Sequence, residues 1–322
     1  MAKKRMMPAI NMALDEEMSR DKKVILYGED AGISLLGQTT GLQDKYGKDR
    51  VMDTPICENV MTGMAVGAAA AGYRPICHLL YGNFIYTGFD SIANQAAKLK
   101  YMTAGQVKLP IVYMAVIGGG RSAAAQHSDI PYSALMNLGG IKIVVPSSAR
   151  TAKGLLKSAI RDDNPVFYLT AAGGGRPEEV PDDEDFCLPI GKAEVLRTGS
   201  DCTVISIGAM TIKALSAVDK LKESDVNIDL IDLLSLSPID ESSIIESVKK
   251  TGRVVIVDES RDVCSAASHL SAIISDKAFQ YLKAPIKRVT VKDVAIPYAP
   301  ILENNVIPDV PDIINCILQL LK

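Results

Sequence analysis

The sequence predicts an α/β protein with two domains, each built on a mostly parallel sheet. Three observations carry this. Short runs that are apolar throughout, such as residues 110–117, alternate with longer stretches of helical spacing. Strands without polar alternation are buried on both faces, as in parallel sheets covered by helices. The alternation pauses at 171–185, which holds Gly173-Gly174-Gly175, Pro177, Pro181 and a run of acids, and then restarts. The chain has 322 residues, 48% of them hydrophobic and 23% charged, enough for two packed cores. The domains are placed at 1–185 and 186–322.

The elements follow in order. Residues 7–22 form an amphipathic helix, with Ile10, Ala13, Leu14 and Met18 at helical spacing. Residues 24–28 are a strand that runs into the acidic loop Gly28-Glu29-Asp30. A short helix covers 40–46. Small and apolar residues then continue from Glu58 to Gly72 with no proline, a helix read as buried and ended by Gly72. Strands are expected at 75–80, 110–117, 141–145 and 165–169, and helices at 84–102 and 149–161. Beyond the connection, strands are expected at 203–207, 228–234, 253–259 and 286–291. They alternate with helices at 211–222, 240–250, 265–282 and 311–321, and Asp240 caps the second of these. No repeat of fixed period is present.

Composition narrows the function. A net charge of -3 gives no basic field for nucleic acid, and Lys3-Lys4-Arg5 is too short for a binding arm. No apolar run reaches the length of a membrane span, and no signal-peptide pattern opens the chain. The six cysteines are scattered with no Cys-x-x-Cys pair, which suits reduced thiols in a cytoplasm and argues against structural zinc.

Several residues draw notice. Glu58 opens an apolar helix; alone, it reads as a first-turn acid favoured by the helix N-terminus, or as a functional acid. Gly118-Gly119-Gly120 follows a strand, but no Gly-Lys-Ser/Thr ends it, so it is no phosphate loop. It reads as a flexible turn or as a bend that presents His127. Three histidines occur, without metal spacing. His269 lies mid-helix and reads as a packing residue. His78 interrupts an apolar strand, as a core histidine or a strand-end site group. His127 lies in a post-strand loop, where an imidazole can exchange protons near neutral pH.

Taken together, Gly28-Glu29-Asp30, Asp53-Thr54-Pro55-Ile56-Cys57-Glu58, Gly72-Tyr73-Arg74-Pro75-Ile76-Cys77, Asn94-Gln95-Ala96-Ala97-Lys98, Ala125-Gln126-His127-Ser128 and the segment 159–165 resemble one family. It is the beta subunit of the thiamine-diphosphate-dependent decarboxylase component of 2-oxo acid dehydrogenase complexes. The resemblance spans nearly the whole chain and is greatest to the acetoin dehydrogenase branch. It implies a transketolase-like fold, with a pyrimidine-binding domain and a C-terminal domain. It also implies an alpha partner, in a tetramer of two alpha and two beta chains, and transfer of an acyl group to a lipoyl acyltransferase. The partner would hold magnesium and the diphosphate through a Gly-Asp-Gly…Asn motif that is missing here. By the same resemblance Glu58 is the carboxylate set against the pyrimidine ring nitrogen, and His127 faces the thiazolium and the substrate. Ile56, Leu80 and Phe84 contact the aminopyrimidine. Ile111, Ala159, Asp162 and Asn164 match a potassium site built largely from backbone carbonyls. A pyruvate or branched-chain 2-oxo acid dehydrogenase beta subunit, half of a split transketolase-type enzyme and a non-catalytic docking subunit are the competing readings.

The sequence departs from the family around the substrate. His78 stands where Glu is usual, Gly82 where a bulkier residue is usual, Asp129 where Gln is usual, and Thr170 where Glu is usual. On this reading His78, Gly82 and Asp129 enlarge and polarise the pocket, and the substrate need not be acetoin.

Overall fold

The computed structural model describes residues 3–322. The strands are β1 Val24–Gly28, β2 Val51–Asp53, β3 Arg74–Tyr81, β4 Val112–Ile117, β5 Lys142–Val144, β6 Val166–Ala171, β7 Glu194–Arg197, β8 Cys202–Ser206, β9 Ile228–Asp232, β10 Ser235–Ser237, β11 Val254–Arg261 and β12 Lys287–Val291. The helices are α1 Met6–Arg20, α2 Leu42–Tyr46, α3 Glu58–Ala70, α4 Leu99–Met102, α5 Tyr132–Met136, α6 Ala149–Arg161, α7 Met210–Lys222, α8 Glu241–Thr251, α9 Ala266–Ala278, α10 Pro300–Val306 and α11 Val310–Leu321. No described helix is long and apolar enough to cross a membrane.

Two sheets result, ordered β10-β5-β6-β4-β3-β1-β2 and β12-β11-β8-β9-β7. All pairs in the first are parallel except β10 with β5, and all in the second except β7 with β9. The apolar strands are buried along their length, β4 and β6 at every residue. The sheets share one core: Tyr113, Phe167 and Leu169 of the first belong to the same buried cluster as Ile205, Val254 and Ile256 of the second.

The structure corrects the sequence reading at three places. The expected strand 228–234 ends at Asp232, and Ser235–Ser237 crosses over to close the edge of the first sheet. The expected helix 84–102 is broken into a 3₁₀ turn Gly82–Tyr86, a π-helical segment Ser91–Ala96 and α4. Gly88 packs on α3 so closely that a Cβ there would lie 2.6 Å from Thr62 Oγ1 and 2.8 Å from the Glu58 carbonyl oxygen. The Thr62 hydroxyl donates to the Gly88 carbonyl, a tertiary bond that competes with a continuous helix. Helix α3 is buried on one face only, through Met61, Thr62, Ala65, Val66 and Ala69; Val60 and Met64 are 63% and 40% exposed.

The first sheet is clamped by α1 and α6 through buried charges. Glu17 is fully buried and accepts from Arg161 Nε (2.9 Å) and Nη2 (2.7 Å) and from Arg20 Nε (2.9 Å). Lys153 and Lys157, also fully buried, pair with Glu16. Such pairs contribute little net stability over an apolar core, but removing one partner leaves a charge stranded out of water. Glu17→Gln is therefore expected to lower the unfolding free energy by about 3 kcal/mol, read as a shift in the urea midpoint at unchanged slope.

Candidate active site

Strands β4, β3, β1 and β2 are consecutive neighbours and parallel, so their carboxyl ends lie along one rim. Glu29 follows β1, the segment 54–58 follows β2, the Gly82–Tyr86 turn follows β3 and the loop 118–129 follows β4. Ligands of open parallel sheets bind at this end.

Glu58 is the first residue of α3 and is half-buried at the rim. Glu29 lies beside it, 4% exposed, with an Oε1 atom that has no hydrogen-bond partner. Burial, followed by the nearby charges of Glu58 and Asp30, pushes the Glu29 carboxyl up to about 7. Two crowded acids share a proton more readily than both ionise. Beneath them sits His78, 2% exposed. Its Nε2 lies 2.6 Å from the Gln38 amide nitrogen and its Nδ1 lies 3.2 Å from the Glu29 carbonyl oxygen. The Gln38 amide donates, so Nε2 accepts and Nδ1 carries the hydrogen to Glu29. Burial holds this imidazole neutral, with its pKa lowered to about 4. His78, buried beneath the rim, thus fixes the backbone that carries Glu29.

Across the rim Phe84 and His127 meet edge to face, ring centres 5.7 Å apart. Tyr81 packs on both, 4.9 Å from His127 and 5.7 Å from Phe84. His127 Nδ1 lies 3.2 Å from the Ala123 carbonyl, which only accepts, so the hydrogen of the neutral ring sits on Nδ1 and Nε2 is left free to take a proton. Leu80, 7% exposed, holds a left-handed φ of +54°, a strained conformation for a branched residue. Ile56 stands 81% exposed at the mouth, and the Thr54 hydroxyl is buried without a partner.

The other expected pocket residues have different roles. A Cβ on Gly82 would lie 2.7 Å from Ile117 Cγ2 and 3.2 Å from Pro131 Cδ, so the space of the missing side chain is already filled and does not enlarge a pocket. Asp129 accepts from Asn83 Nδ2 (3.3 Å) and pairs with Arg261 Nη1 (3.2 Å), so its charge is balanced within the chain. Thr170 is buried in β6. The residues matched to potassium do not form a free cation cage. The Ile111 carbonyl accepts from the Val166 amide, the Ala159 carbonyl from the Asp162 amide, and the Asp162 carbonyl from Arg74 Nη1. Lys142 pairs with the Asp162 carboxylate at 2.5 Å, and Lys100 donates to Asn164 Oδ1 at 2.6 Å. Lys142 and Lys100 thus bring positive charge to this corner.

The chain matches known proteins over most of its length. Residues 2–172 match the pyrimidine-binding domain of transketolase, and residues 191–313 match the transketolase C-terminal domain. The chain is 40% identical to the acetoin:2,6-dichlorophenolindophenol oxidoreductase subunit beta of Bacillus subtilis, over 98% of this chain and 96% of that protein. The chain belongs to the transketolase-like dehydrogenase beta subunits. This beta subunit is also 41% identical to the pyruvate dehydrogenase E1 component subunit beta-1 of Arabidopsis thaliana, over 95% of this chain and 86% of that one. Against the 2-oxoisovalerate dehydrogenase subunit beta of Bacillus subtilis the identity is 41%, over 92% and 91%. A solved split-gene transketolase, described as an inactive beta4 tetramer, matches with a TM-score of 0.82 at 25% identity, over 97% of both chains.

Sequence reasoning put Glu29 on the rim but missed its pairing with Glu58, since residues 29 apart in sequence meet only through strand register. Tyr81 was missed because it reads as the end of a strand. Glu29 makes a testable contribution to stability. Its proton is held to about pH 7 in the folded chain and to about 4.5 without the fold. The folded state therefore binds the proton more tightly, and this group's contribution falls as pH rises from 4.5 to 7. In the full-length chain, Glu29→Gln is expected to gain on the order of 3 kcal/mol over wild type between pH 4.5 and 8, measured by urea unfolding across that range; a constant difference would refute the raised pKa.

Proposed function

We propose that this beta subunit supplies the aminopyrimidine half of a thiamine-diphosphate site, in an enzyme that cleaves a carbon–carbon bond next to a carbonyl. The observation that carries the reading is that two groups follow neighbouring parallel strands at one rim: Glu58 beside Glu29, and Phe84 against His127. When bound, thiamine diphosphate supplies a carbon nucleophile and a sink for the electrons of the broken bond. The residues present suit its pyrimidine end. Glu58 offers an exposed-side carboxylate for a ring nitrogen, Ile56, Leu80 and Phe84 offer apolar surface, and the buried Thr54 hydroxyl and Glu29 Oε1 lack partners within the chain. Glu29, whose carboxyl burial and its neighbours push up to about 7, stands beside Glu58. The free Nε2 of His127 can take a proton from the substrate and then return it.

The sequence has no Gly-Asp-Gly…Asn motif, so we assign magnesium and the diphosphate to an alpha partner, in a tetramer of two alpha and two beta chains. The exposed stripe of Val60 and Met64 on α3, with Ile56 before it, supports a chain packing over this rim. No role is given to potassium. Residues 1–185 then act as the pyrimidine-binding domain and 186–322 as the C-terminal domain. All six cysteines are free, which suits a reducing cytoplasm. A lipoyl acyltransferase is the acyl acceptor, in keeping with the dehydrogenase relatives. Those relatives act on acetoin, pyruvate or 2-oxoisovalerate by name. Because His78 and Gly82 leave the pocket unenlarged, we assign a small acyloin or short 2-oxo acid. The transketolase-like and purely docking readings are less well supported, the first by the lower identity and the second by the joint presence of Glu58, Phe84 and His127.

Reconstitution with the alpha chain tests this. Glu58→Gln is expected to reduce turnover about 100-fold or more with the assembly intact by gel filtration; wild-type turnover would sink the assignment. A panel of acetoin, pyruvate and branched 2-oxo acids compared by kcat/KM identifies the substrate, and preference for a bulky branched acid would count against the small pocket.

A further inference from the structure

The loop that carries His127 is held from outside its own domain. It leaves β4 at Ile117 and adopts left-handed φ at Gly118 (+84°), Gly120 (+87°), Ser122 (+53°) and Ala124 (+62°). Two of these carry side chains, for which the conformation is unfavourable, so the path persists only if something else determines it. The turns aim successive backbone N–H groups outward, as in an anion-binding nest. The groups they receive are carboxyl side chains of the second half of the chain. Gly119 N donates to Glu259 Oε1 at 2.7 Å. Gly120 N donates to Glu303 Oε1 at 2.8 Å, and Ser122 N to Glu303 Oε2 at 2.9 Å, with the Ser122 hydroxyl at 3.4 Å. At the far end of the loop Asp129 is tied to Arg261.

The glycines are explained by this contact and not by a phosphate. A Cβ on Gly118 would lie 2.8 Å from Glu259 Oε1, and one on Gly119 would lie 2.7 Å from Ile307 Cδ1 and 3.1 Å from Glu303 Oε1. Glu303 is 2% exposed, on α10, and its carboxylate takes amides and a hydroxyl of the loop. Immediately after these anchors, Ala123 and Ala124 provide the carbonyls that take His127 Nδ1 and the Ser128 hydroxyl (2.7 Å). The orientation of the imidazole is thus the last link of a chain that begins on α10.

We propose that Glu303, with Glu259, is a positioning residue for His127, acting through the Gly119, Gly120 and Ser122 amides. This rests on the role given to His127 above. Two measurements on Glu303→Gln test it. The amide keeps the shape but replaces one acceptor with a donor that faces an N–H. In the reconstituted complex, kcat is expected to fall at least tenfold while KM for thiamine diphosphate stays within twofold. In the full-length chain, trypsin is expected to cut after Arg121, which is exposed in this loop, at least tenfold faster, with cleavage elsewhere unchanged. If Glu303→Gln does not fold, Gly120→Ala probes the same path: a Cβ there meets nothing within 4 Å, so only the backbone conformation is disfavoured. Unchanged cleavage at Arg121 overturns the anchoring, and faster cleavage with wild-type kcat overturns the positioning role. His127→Ala, assayed in parallel, separates the two readings: if it retains turnover, the assignment of His127 fails; if it loses turnover while Glu303→Gln keeps it, only the present proposal fails.

Discussion

Parallel pairing of β4, β3, β1 and β2 is the constraint on which the rest depends. It brings four carboxyl ends to one edge, and Glu29, Glu58, Phe84 and His127 each follow one of those ends. An antiparallel arrangement would have sent half of these loops to the opposite edge. The parallel order in turn requires helices over both faces, and these come from α1 and α6 on one side and from the strained segments near α3 on the other. The break of the 84–102 region belongs to the same design. A continuous helix would carry Phe84 away from the rim, whereas the 3₁₀ turn keeps it against His127.

Four acids of this protein are held in four distinct ways, and the differences follow their roles. Glu17 is surrounded by cations and holds helices together. Asp129 is balanced by one guanidinium across the two halves. Glu303 is solvated by backbone amides and one hydroxyl, which shape a loop. Glu29 has none of these and keeps a proton instead, beside Glu58. Only the last arrangement leaves an acid with an unused acceptor atom at a ligand-binding edge. An unsatisfied buried group is costly within a free chain and is tolerated where a partner completes it.

The two halves are less separable than their composition suggests. The connection at 171–185 marks a real change in sequence, yet β10 returns to the first sheet and the buried cluster runs through both sheets. The loop bearing His127 is anchored by three residues of the second half, Glu259, Arg261 and Glu303. The C-terminal half therefore shapes the site as well as enlarging the molecule.

A family resemblance in the sequence singled out Glu58, Phe84 and His127 as a candidate set; by itself, the sequence determined the alternating architecture and most strand and helix positions. Local periodicity carries that information, because an apolar run or a helical stripe is written in neighbouring residues. Tertiary structure alone decided which side chains meet. Glu29 faces Glu58, His78 turns inward to Gln38, Gly82 makes room for Ile117, and the glycine cluster receives carboxylates from residues 259 and 303. Those contacts join positions from tens to nearly two hundred residues apart. Their energies depend on burial and on the geometry of approach, which no local pattern records.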